Sequence, residues 1–199
     1  MKKRLIILFL FLVVAHAQMN FEGSEFSINS DNVTTGDLTV PDNGTVTDVN
    51  ITISGTHGDL SRLDLKLISP NGTVVDLVKG SANGWSGSAA FNSTSFDDES
   101  EISISEGTPP YFGNFQPEGN LADFNQEEMQ GTWSLWAYST IYSGNISEWS
   151  MTISSSPPLT DFSATPISGP EPLTIQFTDE SVGTDGTVIG WSWNFGDGN

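Results

Sequence analysis

Apolar residues recur at every second position in short bursts along this chain, and polar turn residues separate the bursts. Val49, Ile51 and Ile53 alternate with Asn50 and Thr52, and Leu63, Leu65 and Leu67 alternate with Asp64 and Lys66. Ile102 and Ile104 repeat the pattern, as do Trp133, Leu135 and Ala137, and then Trp149, Met151 and Ile153. Successive side chains of a strand point to opposite faces, so a period of two marks a strand with one buried face. Between the bursts lie Asp42-Asn43-Gly44, Ser69-Pro70-Asn71-Gly72 and Ser143-Gly144-Asn145. Proline presets φ in such turns, glycine accepts a positive φ, and asparagine bonds its own backbone. No stretch of helical length carries apolar residues at i, i+3, i+4 and i+7. The chain therefore reads as all-β, an antiparallel sandwich or jelly roll.

The first residues set the compartment. Lys2, Lys3 and Arg4 precede an unbroken apolar run from Leu5 to Val14, and Ala15-His16-Ala17 follows. A basic region, a short apolar core and a small-residue cleavage site make a secretory signal peptide. Ten apolar residues are too few to span a hydrocarbon layer of about 30 Å. The expected mature chain starts at Gln18 and is secreted or held at the cell surface.

Removing residues 1–17 leaves Arg62, Lys66 and Lys79 as the only basic side chains. They stand against 25 acidic residues, a net charge of −22. Phosphate recognition needs a basic patch, so nucleic acid is excluded as a partner. Membrane insertion is excluded by the lack of a second long apolar run. Such charge suits solubility outside the cell and binding of cations such as calcium. Cysteine is absent, so the fold is held by its core, by bound metal, or by both.

Ser154-Ser155-Ser156-Pro157-Pro158 interrupts the strand pattern, and residues 155–158 read as an extended linker. Beyond it, Asp161–Ala164, Leu173-Ile175-Phe177 and Ile189-Trp191-Trp193-Phe195 supply at most three strands. An immunoglobulin-like sandwich needs about seven. Residues 159–199 are thus expected to be the opening of a second domain that stops in mid-fold.

Five ordered motifs carry a family resemblance. They are Asp64-Leu-Lys-Leu-Ile-Ser-Pro-Asn-Gly-Thr73, Thr94-Ser-Phe-Asp-Asp98, Gly113-Asn-Phe-Gln-Pro-Glu-Gly119, Gly131-Thr-Trp-Ser-Leu135 and Trp149-Ser-Met-Thr-Ile153. With them, residues 18–154 resemble the P/Homo B domain. The resemblance implies a jelly-roll β-sandwich found beside subtilisin-like serine protease domains, which it stabilises. Asp161-Phe-Ser-Ala-Thr-Pro166, Pro172-Leu-Thr-Ile-Gln-Phe177 and Trp191-Ser-Trp-Asn-Phe-Gly-Asp-Gly198 resemble the first half of a PKD domain. That implies an immunoglobulin-like spacer or adhesion module.

Catalytic chemistry finds little support. Asp42, His57 and Ser88 stand in the Asp…His…Ser order of subtilisins, but strands and turns surround them and fewer than fifty residues contain all three. His57 is expected in the loop between the first two core strands. No nucleophile elbow, zinc-binding His-Glu-x-x-His or phosphate loop occurs. Clustered loop carboxylates suit calcium, which takes six to eight oxygens. Asp97 and Asp98, beside Glu99, form the best such cluster, and Asp59 and Asp64 are expected to converge on it. P-domain relatives commonly carry aspartate after the tyrosine of Trp133-Ser-Leu-Trp-Ala-Tyr138, where Ser139 stands here. Six Asn-x-Ser/Thr sequons, at Asn32, Asn43, Asn50, Asn71, Asn92 and Asn145, matter only in a eukaryotic secretory host.

The expected function is a non-catalytic accessory or adhesion module, with neighbouring domains of a larger secreted protein as its partners. Two alternatives stand beside it. One is a fragment of a secreted serine endopeptidase whose catalytic domain lies outside this chain. The other is a polysaccharide-binding module using Trp85, Tyr111, Phe112 and Tyr142.

Overall fold

The computed structural model describes residues 17–80, 89–156, 161–170 and 172–181. Residues 1–16 of the signal segment, Trp85, Ser88 and residues 182–199 lie outside the described residues. Ten strands run through the first part of the chain: β1 (Ala17–Gly23), β2 (Phe26–Ile28), β3 (Val33–Val40), β4 (Val46–His57), β5 (Leu63–Ile68), β6 (Val74–Lys79), β7 (Ala89–Phe96), β8 (Tyr111–Phe115), β9 (Gly131–Ser139) and β10 (Gly144–Ser155). They form two sheets. The larger runs β1-β10-β4-β7-β8 with β2 also on β10, and the smaller runs β3-β9-β5-β6. All pairings are antiparallel except β7 with β8. This is the expected β-sandwich.

The alternating residues do what their period requires. Val49, Ile51 and Ile53 of β4 face inward beside Met151 and Ile153 of β10, and Leu63, Leu65 and Leu67 of β5 meet Trp133, Leu135 and Ala137 of β9 from the other layer. Trp133 is fully buried, stacked edge-on against Phe124 with centroids 5.0 Å apart, and its indole N–H donates to the Met129 carbonyl at 2.9 Å. The Trp149 indole donates to the Ser24 carbonyl at 3.1 Å. A buried indole that keeps its hydrogen bond contributes apolar area without an unsatisfied donor.

The turn Ser69-Pro70-Asn71-Gly72 joins β5 to β6 as its residues demand. Gly72 has φ of 89°, and its N–H donates to the Ser69 carbonyl at 3.0 Å. Gly55 serves a different need: a Cβ there would stand 2.3 Å from the Asn145 carbonyl oxygen of the neighbouring strand.

Three expectations are corrected. Ile102 and Ile104 do not form a strand. Ile104 opens a 3-10 turn over Ile104–Glu106 that the Ser103 side chain caps by accepting from the Ser105 N–H, and Ile102 is half exposed. His57 is not in a loop but is the last residue of β4. In the later segment, β11 (Phe162–Thr165) pairs with β12 (Gln176–Asp179), so Leu173 and Ile175 fall outside the strand expected of them.

Replacing Trp133 by alanine empties the largest side chain from the core and strands the Met129 carbonyl. A loss of about 3–5 kcal/mol is expected in denaturant unfolding. A loss under about 1 kcal/mol would mean that the two sheets do not close over this residue.

Candidate functional site

Two poles of the sandwich gather polar side chains, and the 12-residue strand β4 separates them. At the pole where β4 begins, Asp48 faces the loop that follows β7, because Ile51 pairs with Phe96. Asp97 and Asp98 open that loop. The Asp97 backbone N–H donates to the Phe115 carbonyl at 3.0 Å, and its carboxylate accepts from the Glu99 N–H at 2.8 Å. Asp98 reaches across to the start of another turn, accepting from the N–H groups of Leu121 and Ala122 at 3.0 and 2.8 Å. It therefore caps the 3-10 turn Leu121–Phe124, the end of which carries the buried Phe124 under Trp133.

Carboxylates this close shift one another. Burial, with Asp97 and Asp98 adding repulsion, pushes the Asp48 carboxyl above its ordinary range. A hydrogen bond that protonated Glu99 donates to the Asp97 carboxylate does the same for Glu99, helped by burial and by Asp48. Asp48 was missed in the sequence because it reads as an ordinary outward position of a strand. Only the pairing of β4 with β7 brings it to Asp97.

Asp59 and Asp64 do not join this cluster. Asp59 follows His57, which pairs with Ala89 at the far end of β7. The six residues from Ile51 to His57 put Asp59 roughly 20 Å from Asp97 along the strand. Its carboxylate accepts from the Ser61 N–H at 3.0 Å and the Ser61 hydroxyl at 2.9 Å. Asp64 sits on the outer face of β5 opposite Lys79, with one carboxylate oxygen buried and without a hydrogen bond. Among the described residues, no three His, Cys, Asp or Glu side chains converge as metal ligands do.

His57 occupies the other pole and is 2 % exposed. Its Nδ1 lies 2.8 Å from the Asp59 carbonyl, and its Nε2 lies 3.0 Å from the Ser139 hydroxyl and 3.1 Å from the Tyr142 carbonyl. The imidazole thus ties the β4–β5 connection to the β9–β10 hairpin. Ser139 is fully buried. Asp42 precedes β4 while His57 ends it, so the length of the strand, roughly 36 Å, keeps them from forming a catalytic pair.

The proposed sugar platform does not assemble as expected either. Tyr111 is buried against Phe91 and Phe115, whereas Phe112 and Tyr142 are exposed. The aromatic pair that does lie on an outer face is Trp136 with Tyr138, centroids 6.1 Å apart, on β9. Their alternation with Trp133, Leu135 and Ala137 placed them on the outside. Lys66 lies over the Trp136 ring at 5.3 Å, and Lys66 and Lys79 both pair with Asp76, at 3.1 and 2.6 Å. Burial pushes the Asp76 carboxyl up, but hydrogen bonds from Lys79 and Lys66 outweigh it and hold it below its usual range.

The model of the family "Proprotein convertase P-domain" matches residues 46–153, more than half of the chain. The chain belongs to the proprotein convertase P-domain family. The matched span of this P-domain chain runs from the start of β4 to the buried end of β10, and so includes both poles. No curated protein matches the sequence. Two solved structures are similar: the serine protease of Aeromonas sobria in complex with its chaperone, TM-score 0.44, and the same protease alone, TM-score 0.43. Each is 17 % identical over 70 % of this chain. The similarity covers only 27 % of either protease chain.

Opposite outcomes are expected for two neighbouring aspartates. A raised Asp48 means that the native state holds its proton more tightly than the unfolded chain does. Ionised Asp48 therefore costs stability at neutral pH, and the cost fades as pH falls below the ordinary carboxylate range. Asp48→Asn should raise the melting temperature at pH 7 and make no difference near about pH 3. Asp98→Ala should lower stability by about 1 kcal/mol through the lost cap. Thermal melts across pH check both, and an Asp48→Asn variant that melts lower at pH 7 would contradict the crowding.

Proposed function

We propose that this chain is a non-catalytic accessory module of a secreted multidomain protein, of the kind attached to subtilisin-like serine proteases. The observation that carries this reading is the P-domain match over a sandwich that closes its own core. His57, the one histidine outside the signal segment, is committed at both ring nitrogens to holding two connections together. The signal-like segment at 1–17 supports secretion, and among the described residues no helix is long and apolar enough to cross a membrane. The pairing of β11 with β12 is compatible with reading residues 159–199 as the first part of a PKD-type domain. Neighbouring domains of the same secreted protein are the partners this architecture calls for. Whether a protease domain is among them decides if the module serves proteolysis.

The purified chain is expected to leave casein intact and to melt in one cooperative step. Casein cleavage that a serine-directed inhibitor blocks would overturn the non-catalytic reading.

Calcium remains a separate proposal for the acidic loop at Asp97 and Asp98, with Asp48 and Glu99 beside it and Asp98 engaged as a cap; it rests on that crowding of carboxylates and not on a converged ligand set. A bound ion would offset the repulsion that adds to burial in raising Asp48 and adds in smaller part to raising Glu99. Calcium at about 100 times its dissociation constant would add about 2.7 kcal/mol, a shift of several degrees. Coincident melts with calcium and with chelator would remove calcium from the account and leave the module intact.

A further inference from the structure

On the outer face of the larger sheet, two β-bulges oppose the same residue of β4. In β10 the register slips between Ile146 and Glu148, leaving Ser147 extra, opposite Ser54 and Gly55. In β7 it slips so that Asn92 and Ser93 together face Ser54, and Ser93 takes a φ of 50°. A bulge bends its strand and re-aims side chains, and bulges are over-represented beside functional sites. Here two of them, with the end of β1, enclose a depression of about 340 Å³. Thr52, Ser54, Ser93, Ser147 and Ser150 line it, and Glu22 and Glu148 stand at its rim.

Two of the five hydroxyls of this depression have their protons committed, while the Ser54 hydroxyl accepts from the Ser93 N–H at 3.1 Å and keeps its own proton. A hydroxyl has one proton to give and two lone pairs to offer. Thr52 donates its proton to the Ser95 hydroxyl at 3.2 Å, and Ser147 donates to the Ser54 carbonyl at 3.1 Å. Both protons are therefore used within the sheet, and what Thr52 and Ser147 present outward is lone pairs. The two glutamates accept only when ionised. They share one patch, since Glu22 pairs with Ser150 and Glu148 with Ser54 on the adjoining strands. Among the described residues neither glutamate forms an ion pair, and both basic residues that do pair, Lys66 and Lys79, use Asp76 on the other sheet.

We infer that this depression binds a cationic N–H donor, the guanidinium or ammonium group of a basic side chain on a partner polypeptide. Arginine and lysine heads carry donors and no acceptor, the complement of a surface that offers acceptors and negative charge. A neutral sugar can donate hydroxyls to the two carboxylates but brings no positive charge to neutralise them, so a cationic donor gains more here. An anion is repelled by both. The carboxylates are at an exposed rim rather than converging, which suits a charged side-chain head better than a desolvated metal ion.

The test titrates the isotope-labelled full chain with N-acetyl-arginine methylamide, and separately with N-acetyl-lysine methylamide, methyl glucoside and calcium chloride. Amide shifts confined to Thr52, Ser54, Ser93 and Ser147–Ser150 are expected with the two basic probes, weakening as salt is added. The larger response of the two tells a guanidinium site from an ammonium site. Glu22→Gln with Glu148→Gln, both isosteric and exposed, should weaken binding about tenfold or more, the effect of losing one charge-assisted hydrogen bond. Ser54→Phe, which fills the depression without touching charge, should abolish the shifts. The inference fails if neither basic probe moves these amides, or if the double glutamine variant binds them unchanged. It fails equally if methyl glucoside or calcium moves the same amides at lower concentration. None of these results bears on casein cleavage, so the accessory-module reading stands or falls separately.

Discussion

The pairing of β4 with β10 is the constraint on which the rest of this molecule depends. Both strands are 12 residues long, and their register runs from Val46 and Ser155 at one pole to His57 and Gly144 at the other. Their inner faces supply Val49, Ile51, Ile53, Met151 and Ile153 to the core, while their outer edges recruit β1, β2 and β7. Gly55 and Gly144 are the positions where the two backbones approach too closely for a side chain. A Cβ at Gly144 would lie 2.2 Å from the Thr56 carbonyl oxygen, as one at Gly55 would meet Asn145. A side chain at either glycine would force these two strands apart at that end of the pair.

The same long pair distributes the chemistry. It holds the carboxylates of Asp48, Asp97 and Glu99 at one end and the histidine tie at the other, far enough apart that neither can borrow from the other. It also separates two unlike outer surfaces. The face of the larger sheet carries hydroxyls, amides and glutamates, whereas the smaller sheet carries Trp136, Tyr138 and the Lys66–Asp76–Lys79 cluster. This acidic module thereby keeps both of its ion-paired lysines, and the Trp136–Tyr138 pair, on one side.

How much of this was legible depended on whether the strand ran regularly. Strands β5 and β9 alternate without interruption, and their inward and outward residues could be assigned from the sequence. β7 could not, because the extra residue at Asn92–Ser93 shifts Thr94 and Phe96 onto the phase of the core while Phe91 already occupies it. Thr94, a polar residue with no solvent exposure, is accommodated by donating its hydroxyl to the Tyr111 carbonyl at 2.8 Å. Local pattern also misplaced Asp59 and Asp64, since proximity in sequence to a strand end says nothing about which pole that end occupies. Asp98 was recognised as part of an acidic loop, but its partners, the N–H groups of Leu121 and Ala122, lie more than twenty positions away and leave no local trace.

The first and last strands of the sandwich are neighbours, with Ala17 opposite Ser155 and Gly23 opposite Trp149. The two ends of the sandwich therefore lie side by side at the same pole. Pulling those two ends apart would load the β1–β10 hydrogen bonds one at a time, from that pole inward, so the sandwich resists such a pull least at β1, ahead of the β4–β10 spine.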